Sequence, residues 1–118
     1  MIAVCGAGSV GLVLGARLAR AGRDVLFLTR SEAQAARIRR EGVAVEDVLT
    51  GTSEQRRAAA VAGPEAAAAT LVAGVPVLFC TRGSDLLPAA SALARVAPTA
   101  LPVCLLNDVP HESALAAL

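Results

Sequence analysis

The hexapeptide Gly6-Ala7-Gly8-Ser9-Val10-Gly11 constrains this chain more than any other feature. It follows directly on a continuous apolar run, Ile2-Ala3-Val4-Cys5, of the kind that forms a strand buried on both faces of a parallel sheet. Behind it, residues 10–21 read as a helix, with Val10, Val13, Leu14 and Leu18 at helical spacing and Gly22 as its stop. A glycine-rich turn by itself recurs by chance. Set between a strand and a helix, inside a ~30-residue β-α-β unit, it is the fingerprint of dinucleotide binding. Gly6 permits the tight turn, Gly8 lets backbone approach a pyrophosphate, and Gly11 lets the helix pack close to the strand. The unsatisfied N–H groups and positive end of that helix then hold the diphosphate. Residues Gly6, Ala7, Gly8, Ser9, Val10 and Gly11 are therefore the candidate cofactor-binding loop.

Strand and helix patterns alternate from there on. Residues 24–29 read as a second strand, Ser31 caps a second helix with Glu32 in its first turn, and Gly42 lies just past its end. Residues 43–48 alternate apolar and polar as a half-exposed strand, and 54–61 are expected to return antiparallel to them as a hairpin, with helix over the alanine-rich 58–69 as the alternative. A short helix is predicted over 65–73, after Gly63-Pro64, and a buried strand over 75–80 with Pro76 at its entry. Ser84 or Asp85 is expected to cap a helix running to about Val96. Pro98 and Pro102 bracket the loop before a strand at 103–106, and a last helix starts near Pro110. These elements predict a Rossmann-type, doubly wound, mainly parallel α/β sheet of order 3-2-1-4-5 in three α/β/α layers.

Composition agrees with one such domain over residues 1–118. Apolar residues make up 55% and aromatics 2%, so the core must be built from Ala, Val and Leu. The formal net charge of +1 provides no field to attract nucleic acid or an acidic membrane. Cys5, Cys80 and Cys104 are scattered with no CxxC or Cys/His spacing, which predicts buried free thiols and no metal site. No apolar run reaches the ~20 residues of a membrane span. Met1 leads straight into a strand, so no targeting segment is expected and the location read from the chain is cytoplasmic.

Cofactor choice is read at the end of the second strand, where NAD enzymes usually place an acid to bind the ribose hydroxyls. Here Leu28-Thr29-Arg30 stands instead. No acid repels a 2′-phosphate, and Arg30 can grip one bidentately, which favours NADP(H). Arg82, after the fourth strand, is a second candidate for that phosphate, with a solvated loop arginine as the alternative. Asn107, after the fifth, is a candidate for the nicotinamide ribose or a substrate polar group, with a turn residue as the alternative. His111, the sole histidine, reads as a surface residue at a helix start rather than a proton donor.

The runs IAVCGAGSVGLVLGARLARAGRDVLFLTR, VPVLFCTRGSD and VCLLND resemble the N-terminal domain of the ketopantoate reductase family. The resemblance covers nearly the whole chain and implies NADPH-dependent reduction of 2-dehydropantoate to pantoate, in pantothenate and coenzyme A synthesis. It implies that Arg30 binds the 2′-phosphate, that Arg82 stands where the family has a helping Lys, and that Asn107 lies near nicotinamide and substrate. Asp108 departs from the Gly that follows this Asn in the family. Family members also carry a second, helical domain with a catalytic Lys and a substrate-binding Glu. This chain has no Lys, so no catalytic residue is assigned within it.

Two function classes follow. In the first, the chain is the NADP(H)-binding half of a ketopantoate-reductase-like oxidoreductase, inactive until a catalytic domain supplies the proton and holds the 2-oxo acid. In the second, it is a non-catalytic nucleotide-sensing or assembly module. The N-terminal half of another two-domain dehydrogenase, of the 6-phosphogluconate type, is a third reading. An apolar face awaiting a partner domain also predicts self-association of the isolated chain.

Overall fold

Most of the predicted strand and helix runs up to residue 106 appear in order. A computed structural model describes residues 1–106, 113, 116 and 117. Its elements are β1 (Ile2–Cys5), α1 (Ser9–Arg20), β2 (Val25–Thr29), α2 (Glu32–Glu41), β3 (Val43–Asp47), β4 (Thr52–Arg56), β5 (Ala59–Ala62), a 3-10 turn (Glu65–Ala67), β6 (Pro76–Phe79), α3 (Gly83–Val96) and β7 (Leu101–Cys104). Five strands form a parallel sheet in the order β5-β2-β1-β6-β7. Ile2 lies opposite Val25 and Cys5 opposite Leu28 on one side of β1, while Cys5 lies opposite Phe79 on the other. The architecture is the doubly wound α/β sheet that the sequence predicts.

The strand beyond β2 is not the one expected. Residues 43–48 were to hold that place, but Val43–Asp47 pairs antiparallel with Thr52–Arg56 in a separate hairpin. Ala59–Ala62 joins the sheet instead, with Ala60 opposite Phe27. The predicted return strand over 54–61 is thus split between two sheets. Burial fits the exchange. As the edge strand beside β2, Ala59-Ala60-Val61-Ala62 buries Ala60 and half-buries Val61 and Ala62, which suits an apolar run. β3 alternates buried and exposed residues and suits a hairpin open to water.

Two apolar layers cover the sheet. On one face Val4, Val25, Phe27 and Ala60 pack with Ala16 of α1 and with Ala35 and Ile38 of α2. On the other, Ala3, Cys5, Leu26, Leu28, Val77 and Phe79 pack with Leu86, Ala90 and Leu93 of α3. α1 turns a glycine face inward, with Gly11, Gly15 and Ala16 buried, and leaves Val10 60% and Val13 43% exposed. A Cβ on Gly15 would run into the Phe27 ring, coming 2.7 Å from Cε1 and closer still to Cζ. Small residues here let the helix sit directly on the ring.

Three further expectations are corrected. The helix over 65–73 is a single 3-10 turn followed by turns through Thr70 and Leu71. Only Ala67 and Leu71 of its hydrophobic residues reach the core, too narrow a stripe to repay helix nucleation. α3 starts at Gly83, so Ser84 and Asp85 lie in its first turn, and Arg82 occupies the cap position without a side-chain cap bond. β7 starts at Leu101, two residues before the expected strand, and takes in Pro102. That proline is tolerated because β7 pairs only with β6 and needs no N–H on its outer edge. No helix among the described residues is long and apolar enough to cross a membrane.

Candidate functional site

Chain direction across the sheet reverses between β1 and β6. Connections run outward through β2 and β5 on one side and through β7 on the other. Open α/β sheets bind ligands in the crevice at the carboxyl ends of the strands flanking such a reversal. The glycine loop sits there. Gly6 leaves β1 at φ +100°, a conformation that disfavours any side chain, and a Cβ on it would lie 3.0 Å from the backbone of Cys80 and Thr81. Its N–H donates to the Leu28 carbonyl at 3.1 Å, tying the loop to β2.

Each remaining loop residue has a distinct place. Ala7 is buried, and its carbonyl accepts a hydrogen bond from Gln34 Nε2 at 3.1 Å, which anchors the loop to α2. Gly8 occupies the N-cap position of α1 with no side-chain cap, and a Cβ on it would meet nothing within 4 Å. Ser9 and Val10 open the helix and are exposed. Gly11 is buried against the loop itself, where a Cβ would collide with the Gly6 carbonyl oxygen and lie 3.1 Å from its carbon. The first turn holds no acidic residue, so its N–H groups face an open cradle with no competing negative charge. Beside Gly6, Thr81 keeps a buried hydroxyl that finds no hydrogen-bond partner among the described residues. An open cradle, an uncapped helix end and a spare buried hydroxyl together fit a bound diphosphate.

The residues around the cradle are positioned by the strand ends. Thr29 ends β2 buried, its hydroxyl shared between the carbonyls of Ser31 at 2.9 Å and Val61 at 3.2 Å. Arg30 follows and projects outward, its side chain 79% exposed. Ser31 caps α2 as expected, accepting from the Gln34 N–H at 3.2 Å. Across the crevice, Arg30 Nη2 donates to Asp85 Oδ2 of α3 at 2.7 Å. Arg82, at the α3 N-cap, is exposed, and its carbonyl accepts from the Asp85 N–H at 3.0 Å. The fold thus brings Arg30, Arg82 and the glycine loop to one end of the sheet. Asn107, Asp108 and His111, with most of the helix expected from Pro110, lie outside the described residues.

The thiols nearest the loop are chemically quiet. Burial, with the neighbouring Cys80 adding to it, pushes the Cys5 thiol up to about 12. Burial also raises the Cys80 thiol. Cys80 and Cys104 are only partly buried, unlike Cys5 and unlike the expectation for all three.

Comparison with known proteins bears on this geometry. The model of the family described as ketopantoate reductase PanE/ApbA matches residues 2–118. The chain belongs to the ketopantoate reductase family. A 2-dehydropantoate 2-reductase from Methylococcus capsulatus is 27% identical over 98% of the chain, with a TM-score of 0.75. D-mandelate dehydrogenase, solved with NADH and anilino(oxo)acetate, is 19% identical over 98% of the chain, with a TM-score of 0.80, a likeness of fold. In both cases the chain spans 36% of the solved protein. No protein of curated function matches. Within the ketopantoate reductase fold, the loop and Arg30 occupy the places the sequence assigned. Gln34, Thr81 and Asp85 are additions. Asp85 reads in sequence only as an acid at a helix start, and nothing local marks Gln34 or Thr81 as neighbours of the loop.

Proposed function

We propose that this chain is the NADP(H)-binding part of a ketopantoate-reductase-like oxidoreductase that passes hydride to a 2-oxo acid. The observation that carries the reading is Arg30, exposed at the carboxyl end of β2 beside the glycine loop, where an NAD-preferring site would place an acid. A bound nicotinamide supplies the hydride. The chain's own residues bind and orient: the N–H groups at the start of α1 hold the diphosphate, Arg30 with Arg82 holds the 2′-phosphate, and Asn107 meets nicotinamide or substrate. The 2-dehydropantoate reductase likeness and the 2-oxo group of the mandelate dehydrogenase ligand both support a 2-oxo acid.

Turnover needs a positioned acid and a carboxylate clamp. This chain has no Lys, and Arg30 and Arg82 are committed to the phosphate side. The missing groups are assigned to a helical domain that meets the open crevice. Val10 and Val13, exposed on α1, offer apolar surface for it.

Calorimetric titration of the chain with NADPH and NADH tests the cofactor assignment. NADPH should bind more tightly, and Arg30→Ala should remove most of the difference. Charge-assisted hydrogen bonds contribute about 1.5–3 kcal/mol each, so tenfold or more should be lost. Equal affinities in the unaltered chain refute the assignment. The purified chain should not oxidise NADPH with ketopantoate above background, and robust turnover would place the catalytic groups within these residues.

A further inference from the structure

We propose that Asp85 is a built-in competitor for the 2′-phosphate and sets how strongly the site prefers NADP(H) over NAD(H). This rests on the reading that Arg30 is the phosphate ligand. Arg30 is the only cation at the end of β2, and its one ion pair among the described residues is with Asp85. The two residues are 55 positions apart and reach toward each other across the crevice from opposite sides of the reversal. Asp85 Oδ2 sits 2.7 Å from Nη2 and so engages a guanidinium donor that a bidentate phosphate could use. With 42% of its side chain exposed, the carboxylate can be displaced or can share the guanidinium, but in either case it opposes the new anion.

The opposition acts on one cofactor and not on the other. A 2′-phosphate carries a charge of about −1.5 to −2, so it must break the ion pair or sit beside a carboxylate of like sign. A 2′-hydroxyl carries no charge and finds in Asp85 a carboxylate acceptor, the group NAD sites use for that purpose. Arg30 favours the phosphate and Asp85 narrows the margin. An exposed ion pair together with screened repulsion amounts to on the order of tenfold in phosphate affinity at low salt.

Calorimetry with NADPH and NADH on the unaltered chain, Asp85→Asn, Arg30→Ala and the double variant tests this. Asp85→Asn should tighten NADPH about tenfold at low salt, less at high salt, and leave NADH unchanged or weaker. In the Arg30→Ala background the gain should shrink, because the ion pair is already gone. Asp85→Ser, too short to reach Arg30 and well suited to a helix start, should repeat the result if the Asn variant misfolds. Weaker NADPH binding in Asp85→Asn would make Asp85 a positioning residue for Arg30 and overturn the proposal, as would unchanged binding of both cofactors. If Arg30→Ala leaves NADPH binding intact, the phosphate reading itself fails; if only the Asp85 variants are silent, that reading stands.

Discussion

Gly8 and Gly11 lie three residues apart in one motif, yet the structure predicts opposite consequences for changing them. A methyl on Gly11 would strike the Gly6 carbonyl oxygen, lie 3.1 Å from its carbon and come 3.3 Å from Cys80 Cβ. That carbonyl cannot swing away, because Gly6 is held by its N–H bond to Leu28 and by the backbone of Cys80 at its back. Overpacking of this kind costs about 1–3 kcal/mol, and replacing a helical glycine returns about 1 kcal/mol. Gly11→Ala should therefore lose up to about 2 kcal/mol, a fall in Tm of up to roughly 10 °C for a domain of this size. Gly8 has open space beside it and an extended backbone at φ −84° and ψ −168°. It also caps α1 with no side-chain bond, so Gly8→Ser should hold or raise stability, by about a few tenths of a kcal/mol. The same hydroxymethyl fills the cradle and competes for the N–H groups a diphosphate would use, so NADPH affinity should fall at least tenfold, about 1.4 kcal/mol. Thermal melts followed by circular dichroism, with calorimetric titration of NADPH, read both effects. The reasoning fails if Gly8→Ser melts as low as Gly11→Ala, or if it binds NADPH as the unaltered chain does.

Gly15→Ala should destabilise by about 1 kcal/mol through the Phe27 ring, and Phe27→Leu in the same chain should recover part of that loss; additive melts would show that the two do not meet. Gln34→Ala removes the bond to the Ala7 carbonyl and should cost about 1 kcal/mol while weakening NADPH, whereas a stability loss with unchanged binding would free the loop from that anchor. The chain has no Lys and no Tyr, so thiols dominate side-chain titration between pH 9 and 12. The Cys5 thiol stays neutral in the fold up to about 12 but ionises from 9.0 when unfolded, so its contribution is whole below pH 9. Above pH 9 Cys5 alone should cost about 1.4 kcal/mol per unit, with the raised Cys80 thiol adding to the slope, and urea melts of Cys5→Ala should lose the Cys5 share.

What was legible in the sequence was whatever a short stretch decides for itself. The tight turn at Gly6, the cap at Ser31 and the stop at Gly42 depend on residues within a few positions, and all stand where expected. In residues 43–62 the expected antiparallel hairpin stands, but its return strand is 52–56, and a separate strand, 59–62, takes the place in the sheet. Ala60 and Val43 both pack in one layer with Ala35 and Ile38 of α2, so burial alone does not show from sequence which of the two strands pairs with β2. The inward face of α1 was hidden for a related reason. Apolar periodicity points to Val10 and Val13, but the Gly6 carbonyl leaves room only for a glycine at Gly11, and the Phe27 ring only for one at Gly15.

The site divides along the same line. Arg30 could be found by counting, because the end of the second strand lies next to the glycine loop in any sheet of this order. Asp85 could not, although it is equally plain in the sequence. An acid in the first turn of a helix is already accounted for by the helix dipole, so nothing in the local pattern asks for a second partner. Its contact with Arg30 exists only because β6 lies beside β1 and delivers the start of α3 to the opposite lip of the crevice. A cofactor preference inferred from the residue after β2 alone therefore counts the attractive charge and omits the opposing one. In this fold the two charges arrive from opposite sides of the same crevice, so under the proposed reading the preference belongs to the pair.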